Sequence, residues 1–195
     1  MRTSTITRQT KETNISLTLN LDGTGQTSLS TGIGFFDHML DALSRFALLD
    51  LTLECAGDLH VDAHHTVEDV GICLGRALRE ALGDRAGIRR AASAYMPMDE
   101  ALAFCALDVS GRPYLAFTAD FAAPMVGAMD TQLTEEFFRA VAVGAGLTLH
   151  LRVIEGRNDH HKMEALFKAF GLALRDAAAQ DPRITGVLST KGALD

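Results

Sequence analysis

The sequence contains an internal repeat that constrains the fold more than any other feature. Residues 64–79 read HHTVEDVGICLGRALR, and residues 160–175 read HHKMEALFKAFGLALR. Both segments share an HHxxE motif, a Gly seven residues after the Glu and a closing ALR, and every matched position is offset by 96 residues. This constant offset predicts a tandem duplication of a unit just under 100 residues long.

Local periodicity predicts the secondary structure of the first half. Alternating apolar residues predict a strand over 15–21, and helical spacing predicts helices over 34–47 and about 64–82. Two shorter strands are expected at 51–55 and 59–61. The second half repeats the same order of elements, so the sequence predicts an α+β fold in which two β-sheets are flanked by helices.

The two predicted repeats, about 1–92 and 93–195, are joined without a Pro- or Ser-rich linker. Each half carries a strand pair around a Gly turn, at 15–29 and at 102–117. A unit of fewer than 100 residues buries too little apolar surface to be very stable alone. We therefore expect the repeats to pack together as a single domain.

Composition and charge disfavour several classes of function. The formal net charge of −7 disfavours sequence-independent nucleic-acid binding, because such binding depends on neutralising phosphates. The N-terminus lacks the apolar region of a secretory signal, and no apolar run approaches the length of a membrane span. Cys55, Cys73 and Cys105 are odd in number and lack CxxC spacing, so we expect buried, reduced thiols in a cytoplasmic protein.

The HHxxE motifs predict a pair of metal sites. Residues four apart share a helix face, so His64 lies beside Glu68, and His160 lies beside Glu164. One imidazole and one carboxylate make half of a divalent-metal site. Two copies suggest two ions, each held by the His–Glu pair of one half and the adjacent His of the other half. The residues that would complete the two sites are His65, His161, His38 and Glu136.

The chemistry of these ligands narrows the choice of metal. Imidazole with carboxylate fits Mn, Fe, Zn or Co, and the lack of thiolates argues against a structural zinc. A single HHxxE motif is a weak signal, but fold duplication alone does not require three polar residues to recur in both copies. The other two histidines, His60 and His150, are interpreted as ordinary strand residues.

A set of basic and hydroxyl side chains suggests an anionic ligand such as a phosphate ester. Arg112 follows a Gly turn, Arg90 lies in a GIRRAA segment, and Lys168 lies one helical turn beyond the second HHxxE motif. Thr190 and Lys191 belong to an STKG cluster near the C-terminus. Such groups bind phosphate in proteins. Each of them, taken alone, is better explained as an ordinary solvated group.

Three other interpretations of the residues stay open at this point. A dinuclear hydrolase of phosphate esters would use the same groups, with a metal-bound hydroxide as its nucleophile. A metal-storage protein of the ferritin kind also uses Glu/His helical pairs, but it predicts a four-helix pattern without strands. A structural domain with incidental His pairs would bind less than one ion per chain.

The longer motifs resemble those of the imidazoleglycerol-phosphate dehydratase family of histidine biosynthesis, in the family's order and over about residues 8–192. They read GFFDHMLD, CAGDLHVDAHHTVEDVG, MPMDEAL, DVSGRPYL, EEFF, LTLHLRVIEGRNDHHKMEALFKAFGLALR and STKGAL. The resemblance implies a monofunctional enzyme, since the length leaves no room for the phosphatase domain fused to some relatives. It also implies a duplicated unit like the second domain of ribosomal protein S5, a twenty-four-subunit homo-oligomer, and active sites at subunit contacts with two Mn²⁺ ions each.

The resemblance assigns roles to individual residues. One metal would be held by His38, His65, His160 and Glu164, and the other by His64, Glu68, His161 and Glu136. Plant and fungal members have His where this chain has Glu136. Glu12 is the first choice for acid–base catalysis, and Asp99 is the second. The implied substrate contacts are Glu12, Arg90, Arg112, Lys168, Thr190 and Lys191.

The implied reaction removes water from D-erythro-imidazole glycerol phosphate to give imidazole acetol phosphate. The hydrogen to be removed is not next to a carbonyl and is barely acidic. Metals on both ring nitrogens would make the ring imidazolate-like, so that its electrons expel the hydroxyl through a diazafulvene-like intermediate. A carboxylate base would then move the carbon-bound proton, and the enol would tautomerise to the ketone.

Overall fold

Alternation of buried and exposed side chains produces two four-stranded sheets in the computed structural model, which describes residues 1–194. The strands are β1 (Thr3–Gln9), β2 (Thr13–Asn20), β3 (Thr27–Ser30), β4 (Asp50–Gly57), β5 (Ala91–Met98), β6 (Ala101–Asp108), β7 (Tyr114–Thr118), β8 (Met125–Val126), β9 (Met129–Asp130) and β10 (Thr148–Glu155). Sheet 1 has the order β1-β2-β4-β3, and sheet 2 has the order β5-β6-β10-β7. The short strands β8 and β9 pair only with each other.

The two sheets have the same topology. In each, the fourth strand of the order is parallel to its neighbour, and the other pairs are antiparallel. The expected boundary near residue 92 falls at the start of β5, which opens with Ala91. The expected α+β class is confirmed, and the two sheets argue against a strand-free, ferritin-like bundle.

The strands that flank each Gly turn do not pair with each other. Strand β4 lies between β2 and β3, and β10 lies between β6 and β7. The interpretation of 15–29 and 102–117 as paired strands is therefore wrong. Alternation identifies a strand and its buried face, but the choice of partner depends on later strands such as β4, whose Leu51 and Leu53 are buried.

Two further strand assignments differ from the sequence prediction. Residues 59–61 form a turn, closed by the hydrogen bond that Val61 N–H donates to the Asp58 carbonyl. His60 is therefore an exposed turn residue, whereas His150 does lie on a strand, β10. Sequence reasoning missed β1, because Ile6 is its only large apolar residue and leaves too weak an alternation to recognise.

Four helices lie between the two sheets and join the halves of the chain. They are α1 (Gly34–Ala47), α2 (His64–Leu82), α3 (Leu133–Ala145) and α4 (Asp159–Ala178). Helix α2 packs on α3, and α1 packs on α4, so each pair takes one helix from each half. Five buried phenylalanines extend the contact across the helical layer, and one core spans both repeats. They are Phe36, Phe137, Phe138, Phe167 and Phe170.

The glycine that recurs in both repeats allows these helices to cross closely. A Cβ on Gly75 would lie 2.7 Å from the Val141 carbonyl oxygen and 2.9 Å from Gly144 Cα. A Cβ on Gly171 would meet the Leu43 carbonyl oxygen of α1. The repeated Gly is therefore explained by helix packing rather than by ligand binding.

No helix in residues 1–194 has the length and apolarity that a membrane crossing requires.

The three cysteines are free thiols that are shielded from solvent to different degrees. Cys73 and Cys105 are buried, and Cys55 is half-buried. Burial raises the pKa of both Cys55 and Cys73 to about 11 and raises the pKa of Cys105 still further. The thiolate form that would make a reactive cysteine is therefore disfavoured at neutral pH.

Candidate active site

All eight predicted metal ligands lie in the first six residues of the four helices. The helices of each pair run in the same direction, so their N-terminal ends meet. In the α2–α3 pair, for example, Gly71 approaches Phe137 and Ala140, while Gly75 approaches Gly144 one turn further along both helices. Helix N-termini carry a positive partial charge, which favours carboxylates at this end of the helical layer.

Three of the predicted ligands, His38, His160 and Glu164, form a compact group that we call the His38 cluster. Glu164 Oε2 lies 3.1 Å from His160 Nε2 and 3.4 Å from His38 Nε2. One ligand atom of each residue lies within 4.8 Å of the other two. The Phe35 ring packs edge-on against His160 at 5.0 Å between centroids, which fixes one side of the cluster.

Lys168 orients the carboxylate of this cluster. Its Nζ lies 2.6 Å from Glu164 Oε1, which leaves Oε2 directed at the two histidines. Lys168 also lies 3.6 Å from Met98 Sδ and 5.3 Å from the centre of the Phe46 ring. Burial opposes ionisation of Glu164, but the hydrogen bond and charge of Lys168 outweigh it and hold the pKa of Glu164 below its usual range. Lys168, which was predicted to contact the substrate, is therefore bonded to Glu164, a predicted metal ligand.

The second predicted group, His64, Glu68 and Glu136, is more open. His64 Nε2 lies 3.9 Å from Glu68 Oε2, as the helical spacing predicts. Glu136 lines a cavity of about 520 Å³ together with His64, and it also faces Glu68 across a neighbouring depression. Its Oε2 lies 3.4 Å from Arg139 Nε. The structure therefore brings these three residues to one surface, without the close spacing of the His38 cluster.

His65 lies apart from the His38 cluster of its own chain. Its Nδ1 donates to Asp58, with Oδ2 at 3.0 Å, and its Nε2 lies 3.7 Å from Glu12 Oε1. The hydrogen bond with Asp58, supported by the charge of Glu12, raises the pKa of His65 above its ordinary value. The structure thus joins Glu12, the predicted acid–base residue, to a predicted metal ligand.

His161 has an equivalent environment in the second half. Its Nδ1 donates to Glu100 Oε2 at 2.8 Å, and its Nε2 lies 3.8 Å from Asp99 Oδ2. The hydrogen bond with Glu100 raises the pKa of His161. The pKa of Glu100 is lowered to about 2 by hydrogen bonds to its carboxylate. The largest contribution comes from Asn158 N–H, the next from the His161 side chain, and smaller ones from other backbone N–H groups. Asp99 is 78% exposed and has no comparable constraint on its side chain.

These contacts fit a metal at both groups. A metal-binding histidine commonly donates its other ring N–H to a carboxylate, which fixes the ring and its tautomer. His65 and His161 have this arrangement on Nδ1, so Nε2 of each is left for an ion. Sequence reasoning missed Asp58 and Glu100, because both lie in turns whose position beside the helix ends depends on the tertiary fold.

Four of the five predicted phosphate-binding residues line a second cavity of about 660 Å³, and the fifth, Lys168, does not line it. It contains Arg90, Arg112, Thr190 and Lys191, together with Arg183, which the sequence did not single out. The cavity is formed by the start of β5, the β6–β7 connection and the C-terminal segment. Three arginines and a lysine give it the positive charge that a phosphate requires.

Arg90 fastens the C-terminal segment to this cavity. Its Nε and Nη2 donate to the two carboxylate oxygens of Asp108 at 2.7 and 2.8 Å, and its Nη1 donates to the Leu188 carbonyl at 2.7 Å. Arg90 has a φ of 71°, in the left-handed region, so the backbone is turned to present this side chain. The free donors of the cavity therefore belong mainly to Arg112 and Lys191, which are exposed.

Within one chain, the basic cavity and the His38 cluster lie at opposite ends of sheet 2. Arg90 immediately precedes β5, whereas Asp99 and Glu100 immediately follow it and contact His161. A strand of eight residues is about 25 Å long. A small substrate cannot reach from one end to the other.

Comparison with known proteins gives a consistent result. The family model described as imidazoleglycerol-phosphate dehydratase matches residues 31–174. A protein of that name from Ruminiclostridium cellulolyticum is 58% identical over 194 residues, covering 100% of both chains, and one from Symbiobacterium thermophilum is 60% identical over 193 residues, covering 99% of this chain and 93% of the relative.

Solved structures agree with the sequence relatives. The crystal structure of imidazoleglycerol-phosphate dehydratase from Staphylococcus aureus is 40% identical with a TM-score of 0.84, covering 92% of this chain and 99% of that one. The enzyme from Pyrococcus furiosus, in complex with (S)-C348, is 36% identical with a TM-score of 0.83, covering 97% and 100%. The chain therefore belongs to the imidazoleglycerol-phosphate dehydratase family, the hydro-lyases of histidine biosynthesis.

Proposed function

We propose that this chain converts D-erythro-imidazole glycerol phosphate into imidazole acetol phosphate, with two Mn²⁺ ions at each active site. Family membership supports the reaction, and the His38 cluster is the observation that carries the metal assignment. Its imidazole and carboxylate donors suit Mn²⁺, and thiolates are absent from it. We also propose a cytoplasmic location, because three free cysteines fit a reducing compartment.

Each ion would take ligands from more than one copy of the chain. His38, His160 and Glu164 would hold one ion with His65 of a second copy, and this assignment rests on the separation of His65 from the cluster in its own chain. The other ion would be held in the same manner by His64, Glu68, Glu136 and His161. When bound, the ions supply Lewis-acid polarisation and a template for the substrate ring.

The protein's own carboxylates would move the protons. Dehydration breaks one C–O bond and one C–H bond, and the enol then loses its O–H proton and gains a proton on carbon to become the ketone. We assign the transfer to Glu12, whose carboxylate lies 3.7 Å from His65 Nε2 and therefore beside the proposed metal position. Asp99 is the weaker candidate, because its side chain is largely exposed and unrestrained.

The basic cavity would hold the substrate phosphate. Arg112 and Lys191 offer free donors, while Arg90 shapes the cavity through Asp108 and the Leu188 carbonyl. Orienting the substrate lowers the barrier by positioning alone. Thr190 adds a hydroxyl donor to this cavity. We assign Lys168 to the Glu164 carboxylate rather than directly to the phosphate.

Active sites built in this way require an oligomer. The phosphate cavity and the metal ligands of one chain lie too far apart for one small molecule, so neighbouring copies would complete each site. The twenty-four-subunit homo-oligomer implied by the family resemblance is compatible with this requirement.

The test is an assay of ketone formation from imidazole glycerol phosphate, with and without added Mn²⁺. Wild type should form ketone only with metal, and Glu164→Gln should lose activity and bind Mn²⁺ more than about tenfold more weakly, since the amide is a poor ligand. Glu54→Gln, on the exposed face of sheet 1, is the control and should behave as wild type.

Three results would contradict the proposal. Release of inorganic phosphate without ketone would favour a metal-dependent hydrolase instead. Full activity of Glu164→Gln, or less than one ion per chain after Mn²⁺ supplementation, would overturn the metal assignment.

A further inference from the structure

A buried carboxylate joins helix α2 to both strands of the β1–β2 hairpin. Asp69 is 5% exposed and follows the proposed ligand Glu68. Its Oδ1 lies 2.8 Å from Arg8 Nη2 on β1, and its Oδ2 accepts a hydrogen bond of 2.5 Å from Thr13 Oγ1 on β2. Arg8 and Thr13 stand on either side of the hairpin turn. We call these three residues the Asp69 network.

The turn that this network holds carries Glu12. Thr10 Oγ1 accepts hydrogen bonds from the N–H groups of Glu12 and Thr13, at 3.0 and 2.9 Å. The Glu12 carbonyl accepts a bond of 3.0 Å from Asp58 N–H, and the Asp58 side chain binds His65 Nδ1. Glu12, Asp58 and His65 are therefore connected through a turn whose two strands are both attached to α2.

The second repeat has a different arrangement at the equivalent place. The position 96 residues after Asp69 is Ala165, which is buried, and the residues that flank the β5–β6 turn are Met98 and Ala101. The second hairpin is instead attached through its own turn, where Glu100 accepts hydrogen bonds from the N–H groups of Arg157 and Asn158 and from His161 Nδ1. The fold therefore joins a hairpin to a helix without a buried carboxylate at this position of the helix. A buried ion pair is a poor source of stability, because desolvation offsets the attraction between the charges. Stability alone does not explain the network in the first repeat.

We propose that Asp69 is a positioning residue, which fixes the β1–β2 turn so that Glu12 stands beside His65. This inference rests on the proposed function of Glu12 in proton transfer. The turn of the second hairpin is held by Glu100 instead, and the carboxylate of Asp99 beside it is left exposed. Side chains that transfer protons must be held closely in place, because displacement of about 1 Å can lower a rate by about a hundredfold.

The test replaces the ion pair without leaving an unpaired buried charge. In Arg8→Met/Asp69→Leu, apolar side chains of similar volume preserve packing, so the fold should be retained. We expect kcat to fall at least about tenfold while KM and Mn²⁺ affinity change less than about threefold, because only the turn is released. Arg8→Lys keeps a cation on Asp69 and should retain nearly full kcat.

A matched control lies at the other end of the same strand and helix. Ser4 on β1 donates to Glu80 Oε2 on α2 at 2.6 Å, so Ser4→Ala removes a second link between these elements far from the turn. It should leave kcat unchanged. Loss of kcat in Ser4→Ala equal to that in the double variant would overturn the proposal, because the effect would then be a general loosening of β1.

A measurement independent of activity separates this inference from the proposed function. Amide hydrogen exchange in 10–13 should be faster in Arg8→Met/Asp69→Leu than in wild type or Ser4→Ala. Unchanged exchange, or wild-type kcat in the double variant, would refute the positioning role. An inactive wild type would instead refute the proposed function, and the exchange result would still decide whether Asp69 holds the turn.

Discussion

His65 and His161 show how a single hydrogen bond can orient a histidine that we propose as a metal ligand. Asp58 and Glu100 accept the Nδ1–H bond and leave Nε2 as the available donor atom. Both contacts raise the pKa of the histidine, because a carboxylate stabilises the imidazolium form. The sequence predicted both histidines from the repeated motif, but its pattern did not single out Asp58, seven residues before His65, or Glu100, 61 residues before His161.

The raised pKa values predict how Mn²⁺ binding depends on pH. A metal must displace the proton from Nε2, so affinity should fall as the pH decreases, starting above the ordinary imidazole pKa of about 6.5. Asp58→Asn lowers the pKa of His65, and its affinity should persist to lower pH than that of wild type. Mn²⁺ titrations monitored by electron paramagnetic resonance between about pH 5.5 and 8.5 would measure this.

Asp58→Asn also weakens the orientation of the ring, so its affinity at high pH should be lower than that of wild type. Glu54→Gln again serves as the control for a change in surface charge. The same pH profile for wild type and Asp58→Asn would show that Asp58 does not govern the protonation of His65.

The helices were the elements best predicted from the sequence, whereas the order of the strands in the sheets was not predicted. The predictions of α1 over 34–47 and α2 over about 64–82 are confirmed, because helical periodicity depends on residues near one another in sequence. The insertion of β4 between β2 and β3 was not predicted, because strand pairing depends on residues distant in sequence. The recurring Gly75 and Gly171 were visible in the sequence, but their role became clear only where the helices cross.

At the helix crossings, we expect Gly75→Ala to destabilise the protein by about 1–3 kcal/mol. Alanine gains about 1 kcal/mol in helix propensity, but its Cβ would overlap Val141 and Gly144 of α3. Urea unfolding of the metal-free protein, followed by circular dichroism, measures the difference.

Gly34 provides the matched control for this substitution. It is the first residue of α1, and a Cβ there would meet no atom within 4 Å. Gly34→Ala should be neutral or slightly stabilising. Equal stability of Gly75→Ala and Gly34→Ala would disprove the close-packing explanation.

At the scale of the whole molecule, the residues of the candidate site form two groups that lie far apart within one chain. Four helix N-termini gather the proposed metal ligands at one end, while the basic cavity lies at the far end of sheet 2. The duplication explains why there are two similar groups of proposed ligands. Each helix pair takes one helix from each half, so a single hydrophobic core holds both groups in place. Neither half could assemble its ligands alone, since His38 belongs to the first repeat and His160 and Glu164 belong to the second.

This division predicts complementation between inactive variants. Arg112→Ala removes the proposed phosphate contact and Glu164→Gln removes a proposed metal ligand, so each variant alone should be inactive. Mixed oligomers from co-expression in equal amounts should recover about one quarter of wild-type activity, because some sites draw an intact half from each chain. Ketone formation by purified mixed oligomers measures this recovery.

A second pair of variants controls for nonspecific rescue. His160→Ala and Glu164→Gln alter the same cluster, so their mixed oligomers should stay inactive. Activity no greater than that of the separate variants in the first mixture would show that one chain supplies the complete site.

The sequence by itself determined the duplication, the helices and the residue types of the proposed ligands, because repeats and helical spacing are local properties of the chain. The tertiary structure alone decided that His38 joins His160 and Glu164, that Asp58 and Glu100 lie beside His65 and His161, and that the basic cavity lies far from them. Except for Asp58 and His65, which are seven residues apart, these contacts join residues far apart in sequence. They arise only when the helices pair across the two halves and each sheet takes its final strand order.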